Sequence, residues 1–208
     1  MTQLNKQVMA SEVGWKKKLI FTLWIKWERL FNRLFHIQPL DGNHPFLNVR
    51  VRTYWGKIIQ LSDGEKIQRG DRVLELHLNN EMLFNMGINS RSSIQLAIQL
   101  IRVTEELLPK TLLFILNHPN YEGIKGVYGI SIIHRGAKQF GFTVINLPGG
   151  LFSFFTKIYL RLLLLVVHPQ GKQRLQTKTE LLVPKKIAIS TQELMRRYPI
   201  ENLSKQSQ

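Results

Sequence analysis

The chain contains no cysteine. That absence excludes disulfide bonds, thiolate zinc sites and cysteine nucleophiles together, and leaves the compartment open. Acidic residues are scarce: 14 Asp and Glu stand against 29 Lys and Arg, for a net charge of +15 and a pI near 10.3. Long uncharged apolar runs are also missing. The run Leu19–Ile25 stops at Lys26, and Leu151–His168 carries Lys157 and Arg161 inside it. Neither supplies the roughly 20 apolar residues that a bilayer span needs, and each interior cation costs about 2.5–3.5 kcal/mol at the bilayer centre. No small-residue cleavage site follows the first run, so Lys16, Lys17 and Lys18 ahead of it do not mark a signal peptide. Gly-x-Gly-x-x-Gly, a Walker-type phosphate loop, His-Glu-x-x-His and Gly-x-Ser-x-Gly are all absent, which argues against an enzyme built on those sites. No cofactor and no metal site is expected.

What is present is an ordinary globular composition, 208 residues with 44% apolar side chains. That is enough for a full core, in one domain rather than two. The basic excess is uneven. Residues 1–60 carry ten basic and three acidic side chains, residues 121–208 thirteen and four, and residues 61–120 six and seven. Positive charge at both ends around a neutral middle favours anionic partners such as a lipid surface, an acidic glycan or nucleic acid.

The basic ends coincide with amphipathic patterns. From Trp15 to Phe35, Thr22, Lys26, Arg29 and Arg33 form one narrow polar stripe at 100° per residue, and most of the rest is Leu, Ile, Phe or Trp. From Leu151 to His168, Ser153, Lys157, Arg161 and His168 cluster on one side. Two readings stand side by side. Both helices cover the core with solvated basic edges, or they lie in a membrane interface with Trp15, Trp24 and Trp27 at headgroup depth. In the second, Lys16, Lys17, Lys18, Lys157 and Arg161 meet anionic lipid, and the protein is peripheral to the membrane; in the first it is cytoplasmic.

Between these segments the pattern changes to short strands. Leu47, Val49 and Val51 alternate with Arg50, Arg52 and Tyr54, so the first three face a core and the others face away. Lys57–Leu61 reads as a second strand, with Asp63-Gly64 and Arg69-Gly70-Asp71 as turns. A helix capped by Asn89 or Ser90 runs through Leu108 with Ile94, Ala97, Ile98 and Ile101 on one face, and Pro109 breaks it or opens a second run to Leu116. Val127–Ile133, Phe142–Ile145 and Lys186–Ile189 read as strands and His134–Phe140 as a short helix. Ser190-Thr191-Gln192-Glu193 is a capping box opening a helix to Tyr198. This order implies α+β: a small antiparallel sheet with packed helices, and amphipathic helices near both ends. The expected organisation is an amphipathic segment over 1–36, one domain over 37–200 and a frayed tail over 201–208.

The stretch 70–80 holds the strongest candidate site. Leu74, Leu76 and Leu78 point to one strand face, Glu75, His77 and Asn79 to the other, about 7 Å apart along the strand. Glu75 and His77 are the acid–base candidates and Asn79 a ligand-binding one, against the plainer reading of a solvated or hydrogen-bonded strand face. His134 and Arg135, at the end of a buried strand, are candidates for binding a phosphate or carboxylate. His168 closes the second apolar run. Arg50, Arg52 and Tyr54, beside Trp55, make a weaker case for a single-stranded nucleic-acid surface; nucleic acid ranks below lipid or glycan.

Three sets of residues carry a family resemblance: Gly70-Asp71-Arg72-Val73-Leu74-Glu75-Leu76-His77-Leu78-Asn79-Asn80; then Tyr128 through Ala137 with Gly141-Phe142; then His168-Pro169-Gln170-Gly171, Ile189-Ser190 and Leu194-Met195-Arg196-Arg197-Tyr198. Together, over residues 70 to 198, the chain resembles the YkoP-like family of Bacillus and its relatives. The resemblance implies a domain that occurs alone and, in some bacteria, beside polysaccharide deacetylase domains. It carries over no catalytic residue. It suggests accessory work in envelope polysaccharide or glycolipid metabolism, at an anionic membrane surface or on envelope glycan, with a polysaccharide deacetylase or other envelope enzyme as partner. The deacetylase metal-binding motifs are absent from this chain. The alternatives are a glycan- or lipid-carrier-modifying enzyme, which needs Glu75, His77, His134 and Arg135 in one pocket, and a basic nucleic-acid binder.

Overall fold

The computed structural model describes residues 15–43, 45–90, 93–119, 123–131, 134, 136–147 and 184–199. The chain begins with helix α1 (Trp15–Leu34), then β1 (Gln38–Pro39), β2 (Leu47–Thr53), β3 (Ile59–Gln60), β4 (Lys66–Ile67) and β5 (Arg72–Leu78). Two helices follow, α2 (Asn80–Asn89) and α3 (Ser93–Leu116). Then come β6 (Ile124–Ser131), a 3-10 turn (Ala137–Phe140), β7 (Thr143–Asn146), β8 (Lys185–Ser190) and α4 (Thr191–Arg197).

Six strands form one sheet in the order β1-β2-β5-β6-β8-β7, and β3 and β4 pair separately as a small hairpin. The α+β class stands, but the expected antiparallel sheet is mixed, because β5 and β6 run parallel. Parallel neighbours need a long crossover, and α2 with α3 provides it. Helix α2 departs from the sequence pattern, whose alternation continues one residue past the end of the strand. β5 stops at Leu78, and Asn79 accepts hydrogen bonds from the backbone N–H of Glu81 and Met82 as the N-cap of α2. A short polar side chain satisfies orphan helix donors at that position.

One sheet face follows the sequence pattern closely. Val49, Leu74, Val127 and Ile189 pack against Leu108, Leu112 and Ile115 of α3 and Leu194 of α4. Pro109 does not break α3; burial of Leu107, Leu108 and Leu112 on either side outweighs the lost hydrogen bond. The buried stripe of α3 is rotated from the expected one. Leu96, Leu100 and Leu107 pack with Phe46, Leu47 and Leu83, while Ile94 is 73% exposed. Ser90 is the C-cap of α2 rather than a cap for α3, donating to the Met86 carbonyl.

The opposite sheet face carries a second layer. Tyr54, Val73, Tyr128 and Ala188 pack beneath Ile59, Leu61 and Ile67 of the β3–β4 hairpin. Tyr54 is therefore not turned to solvent but 3% exposed. Ser190 caps α4 as its sequence foretold, accepting from the Glu193 N–H at 2.8 Å.

Candidate functional site

Strand register assembles a charged row on that second face. Arg50 of β2 lies opposite Glu75 of β5, Asn48 opposite His77, and Tyr128 of β6 stands beside Glu75 on the other flank. Arg50 Nε donates to Glu75 Oε2 at 2.5 Å. Arg52 makes longer contacts from its Nη1, 3.4 and 3.5 Å to the two oxygens. His77 Nε2 lies 3.4 Å from Glu75 Oε2, within ion-pair range but off the line of a hydrogen bond. Phe35, just past α1, sits over Arg50, 5.3 Å from guanidinium carbon to ring centroid.

Electrostatics follows from this packing. Burial pushes the Glu75 carboxyl up, but the His77 imidazole and the Arg50 guanidinium reverse that and hold it at about 2. Glu75 is thus a fixed carboxylate. A general acid or base works best with a pKa near the operating pH, so this carboxyl is poorly matched to proton transfer at neutrality. It serves as a counter-ion that orders Arg50, Arg52 and His77. Burial raises the Tyr128 hydroxyl, with the nearby Glu75 charge adding to it.

Glu75 and His77 are therefore brought together, and Arg50 and Tyr128 join them. The pairing with Arg50 was not legible locally, because the two residues lie 25 apart in sequence. Asn79 leaves the row, its side-chain oxygen engaged in capping α2. His134 precedes the turn to Ala137 and Phe140, which pack into the core of the opposite face. Arg135, Lys157, Arg161 and His168, like Trp15's side chain and those of Lys16, Lys17 and Lys18, fall outside the described residues. Of the residues in the nucleic-acid reading, Tyr54 is buried edge-on against Tyr128 at 5.4 Å and Arg50 is paired, whereas Trp55 is exposed with Arg69 over its ring. Among the described residues no His, Asp and Glu grouping could hold a metal ion.

Helix α1 presents a different chemistry. Leu19, Leu23, Trp27, Leu30 and Leu34 are all exposed, and at 100° per residue they fall on one ridge. Thr22, Lys26, Arg29 and Arg33 run beside it, also exposed. Trp24 turns inward, against the Phe46–Leu83 cluster. Glu28 anchors the inner face, accepting from the Asn80 N–H at the start of α2 at 3.3 Å, and burial raises its carboxyl. Among the described residues no helix is long and apolar enough to cross a membrane.

An open cleft of about 570 Å³ lies elsewhere, lined by Ser62, Asp63, Gln192, Glu193, Arg196 and Arg197. Both arginines are engaged by Glu193, at 2.6 to 2.7 Å, and Ser190 donates to Asp63. Its charges are satisfied internally.

Comparison with known proteins gives a consistent result. The profile of the YkoP domain matches residues 17–198. The "Uncharacterized protein YkoP" of Bacillus subtilis (strain 168) is 29% identical over 171 residues, covering 81% of this chain and 93% of the relative. No solved structure matches.

Proposed function

The chain belongs to the YkoP domain family, and we propose that it is a peripheral membrane protein whose α1 lies on an anionic lipid surface. One observation carries the reading: the exposed ridge from Leu19 to Leu34 runs beside the exposed cations Lys26, Arg29 and Arg33. An apolar ridge flanked by basic side chains, with Trp27 among the apolar members, matches the pattern of interfacial helices. Each cation near an anionic surface is worth about 1 kcal/mol. The Arg29–Glu81 pair does not remove Arg29 from use, because its side chains are 73% and 48% exposed and such pairs are weak.

In this reading the Glu75 row is a rigid, charged backing, and its open edge at Arg52 and His77 meets a polar ligand. The wider role is an accessory one in envelope polysaccharide or glycolipid metabolism, alongside an envelope enzyme such as a polysaccharide deacetylase. That context comes from the family resemblance. Catalysis by Glu75 and His77 is the less supported alternative, since Glu75 is held at about 2.

Flotation with vesicles tests the proposal. At low salt the full chain is expected to float with phosphatidylglycerol-containing vesicles, and to do so much less with pure phosphatidylcholine or at high salt. Equal behaviour on both vesicle types, or no flotation, overturns it.

A further inference from the structure

The β3–β4 hairpin carries two large apolar side chains in water at its base. Trp55 is 62% exposed and Ile58 60%. Gly56 and the exposed Lys57 lie between them, and the Arg69 guanidinium sits over the indole, 5.1 Å from its ring centroid. Ile59 and Ile67, paired across the hairpin, point inward to the cluster of Tyr54 and Tyr128. Alternation therefore turns Ile58, Gln60 and Lys66 outward, away from the sheet.

The hairpin and α1 cover one sheet face between them. Arg50 and Tyr54 alternate onto the same side of β2, and register sets His77 there as well. The hairpin packs over Tyr54. At the other end Phe35, just past α1, sits over Arg50, and the Glu28 carboxyl feels the charge of His77. Trp55 follows Arg50 along the chain at a distance of about 16 Å in extended backbone. Trp24, Ile25 and Glu28 face inward from α1, so its ridge of Leu23, Trp27 and Leu30 faces outward, as Ile58 does from the hairpin.

One exposed apolar side chain is ordinary. Trp55 and Ile58 bracket a lysine and carry an arginine over the indole, which is a more specific combination. An anionic bilayer surface accommodates each part: the indole at headgroup depth, the aliphatic group at the acyl boundary and the cations on lipid phosphates. The local charge fits that partner. Lys57, Lys66 and Arg69 are exposed, whereas Asp63 and Glu65 sit at the turn, at the far end of the hairpin. Asp71 is half-buried and accepts from the Gln68 N–H at 2.8 Å. A nucleic-acid strand could stack on the indole, but it would leave Ile58 in water and compete with Arg69 for the ring.

We propose that residues 55–58, with Arg69, form a second membrane contact, in which Trp55 and Ile58 enter the interface of an anionic lipid surface. The inference rests on the membrane-surface reading and extends it from one helix to the hairpin beside it.

The test follows Trp55 as the sole tryptophan, in a full chain with Trp15→Phe, Trp24→Phe and Trp27→Phe. With phosphatidylglycerol vesicles its emission is expected to shift to the blue, and brominated acyl chains are expected to quench it. In the otherwise unaltered chain, Trp55→Ser with Ile58→Ser should lower flotation several-fold at an unchanged melting temperature. A chain that floats while Trp55 is not quenched, and whose double variant floats like the parent, overturns the inference and leaves the α1 reading in place. If Leu23→Gln and Trp27→Gln leave flotation undiminished with Trp55 still quenched, the contact at residues 55–58 is supported and α1 is not the anchor. Quenching of Trp55 by single-stranded DNA at low salt, with none by brominated lipid, overturns the inference in favour of nucleic acid. A parent chain that does not float removes both membrane readings.

Discussion

Arg50 of β2 donates its Nε proton to Glu75 of β5 at 2.5 Å, in a layer where Glu75 is 9% exposed. Burial alone would raise that carboxyl; with His77 and Arg50 beside it, it is held at about 2 instead. A pair of this kind is costly to half-remove, because the remaining charge stays buried without its partner.

Glu75→Gln is therefore expected to destabilise the protein by about 3–5 kcal/mol at neutral pH. Urea denaturation checks this. A midpoint indistinguishable from the parent would mean that Arg50 finds another partner at no cost.

The same carboxyl sets an acid limb. A folded pKa below the ordinary value of 4.5 contributes stability that is present above 4.5 and lost as pH falls towards about 2. The shift corresponds to about 3 kcal/mol. Glu193, held at about 2 by Arg196 and Arg197, acts in the same window. Stability profiles between pH 5 and pH 2 should be flatter for Glu75→Gln than for the parent; parallel profiles would refute the assignment.

Asn79→Ala removes the α2 cap, whose side-chain oxygen accepts from Glu81 and Met82. The expected cost is about 1 kcal/mol, or roughly 2–4 °C in melting temperature for a chain of this size.

Leu23 and Trp27 are each 60% exposed, so Leu23→Gln and Trp27→Gln should change stability by no more than about 0.5 kcal/mol. The double variant should float with phosphatidylglycerol vesicles several-fold less than the parent. A large loss of thermal stability instead would mean that the ridge is covered within the fold.

Gly126 lies where β6 meets β8, and a methyl there would press into the Ile189 carbonyl oxygen. Gly126→Ala should cost about 1–3 kcal/mol, as overpacking does. Gly42→Ala is the control, with nothing within 4 Å of the added carbon.

Much of the local structure was legible in short patterns. The alternation of Val49-Arg50-Val51-Arg52 and of Val73 to Leu78 yields strands, and Ser190 with Glu193 yields the start of α4. These signals depend on neighbours within four residues. Local patterns mislead where two signals compete or where they leave open which helical face is buried. Asn79 satisfied the strand alternation and the N-cap preference equally, and the backbone donors of α2 won. Ile94 and Ile98 do share a helical face, but Leu96 and Leu100 face the core.

Taken alone, the sequence determined the α+β class, the basic ends around a neutral centre, and the facing of Glu75 and His77 to one side of a strand. Tertiary structure alone decided that Glu75 is covered while Arg52 and His77 stay at an open edge, and that Glu75 meets Arg50. The reason is physical. Side-chain alternation is a property of one strand, whereas a charge's partner and its burial depend on which strands become neighbours and what packs over them. The chain brings β2, β5, β6 and β8 together across more than a hundred residues, and no window of sequence contains that row.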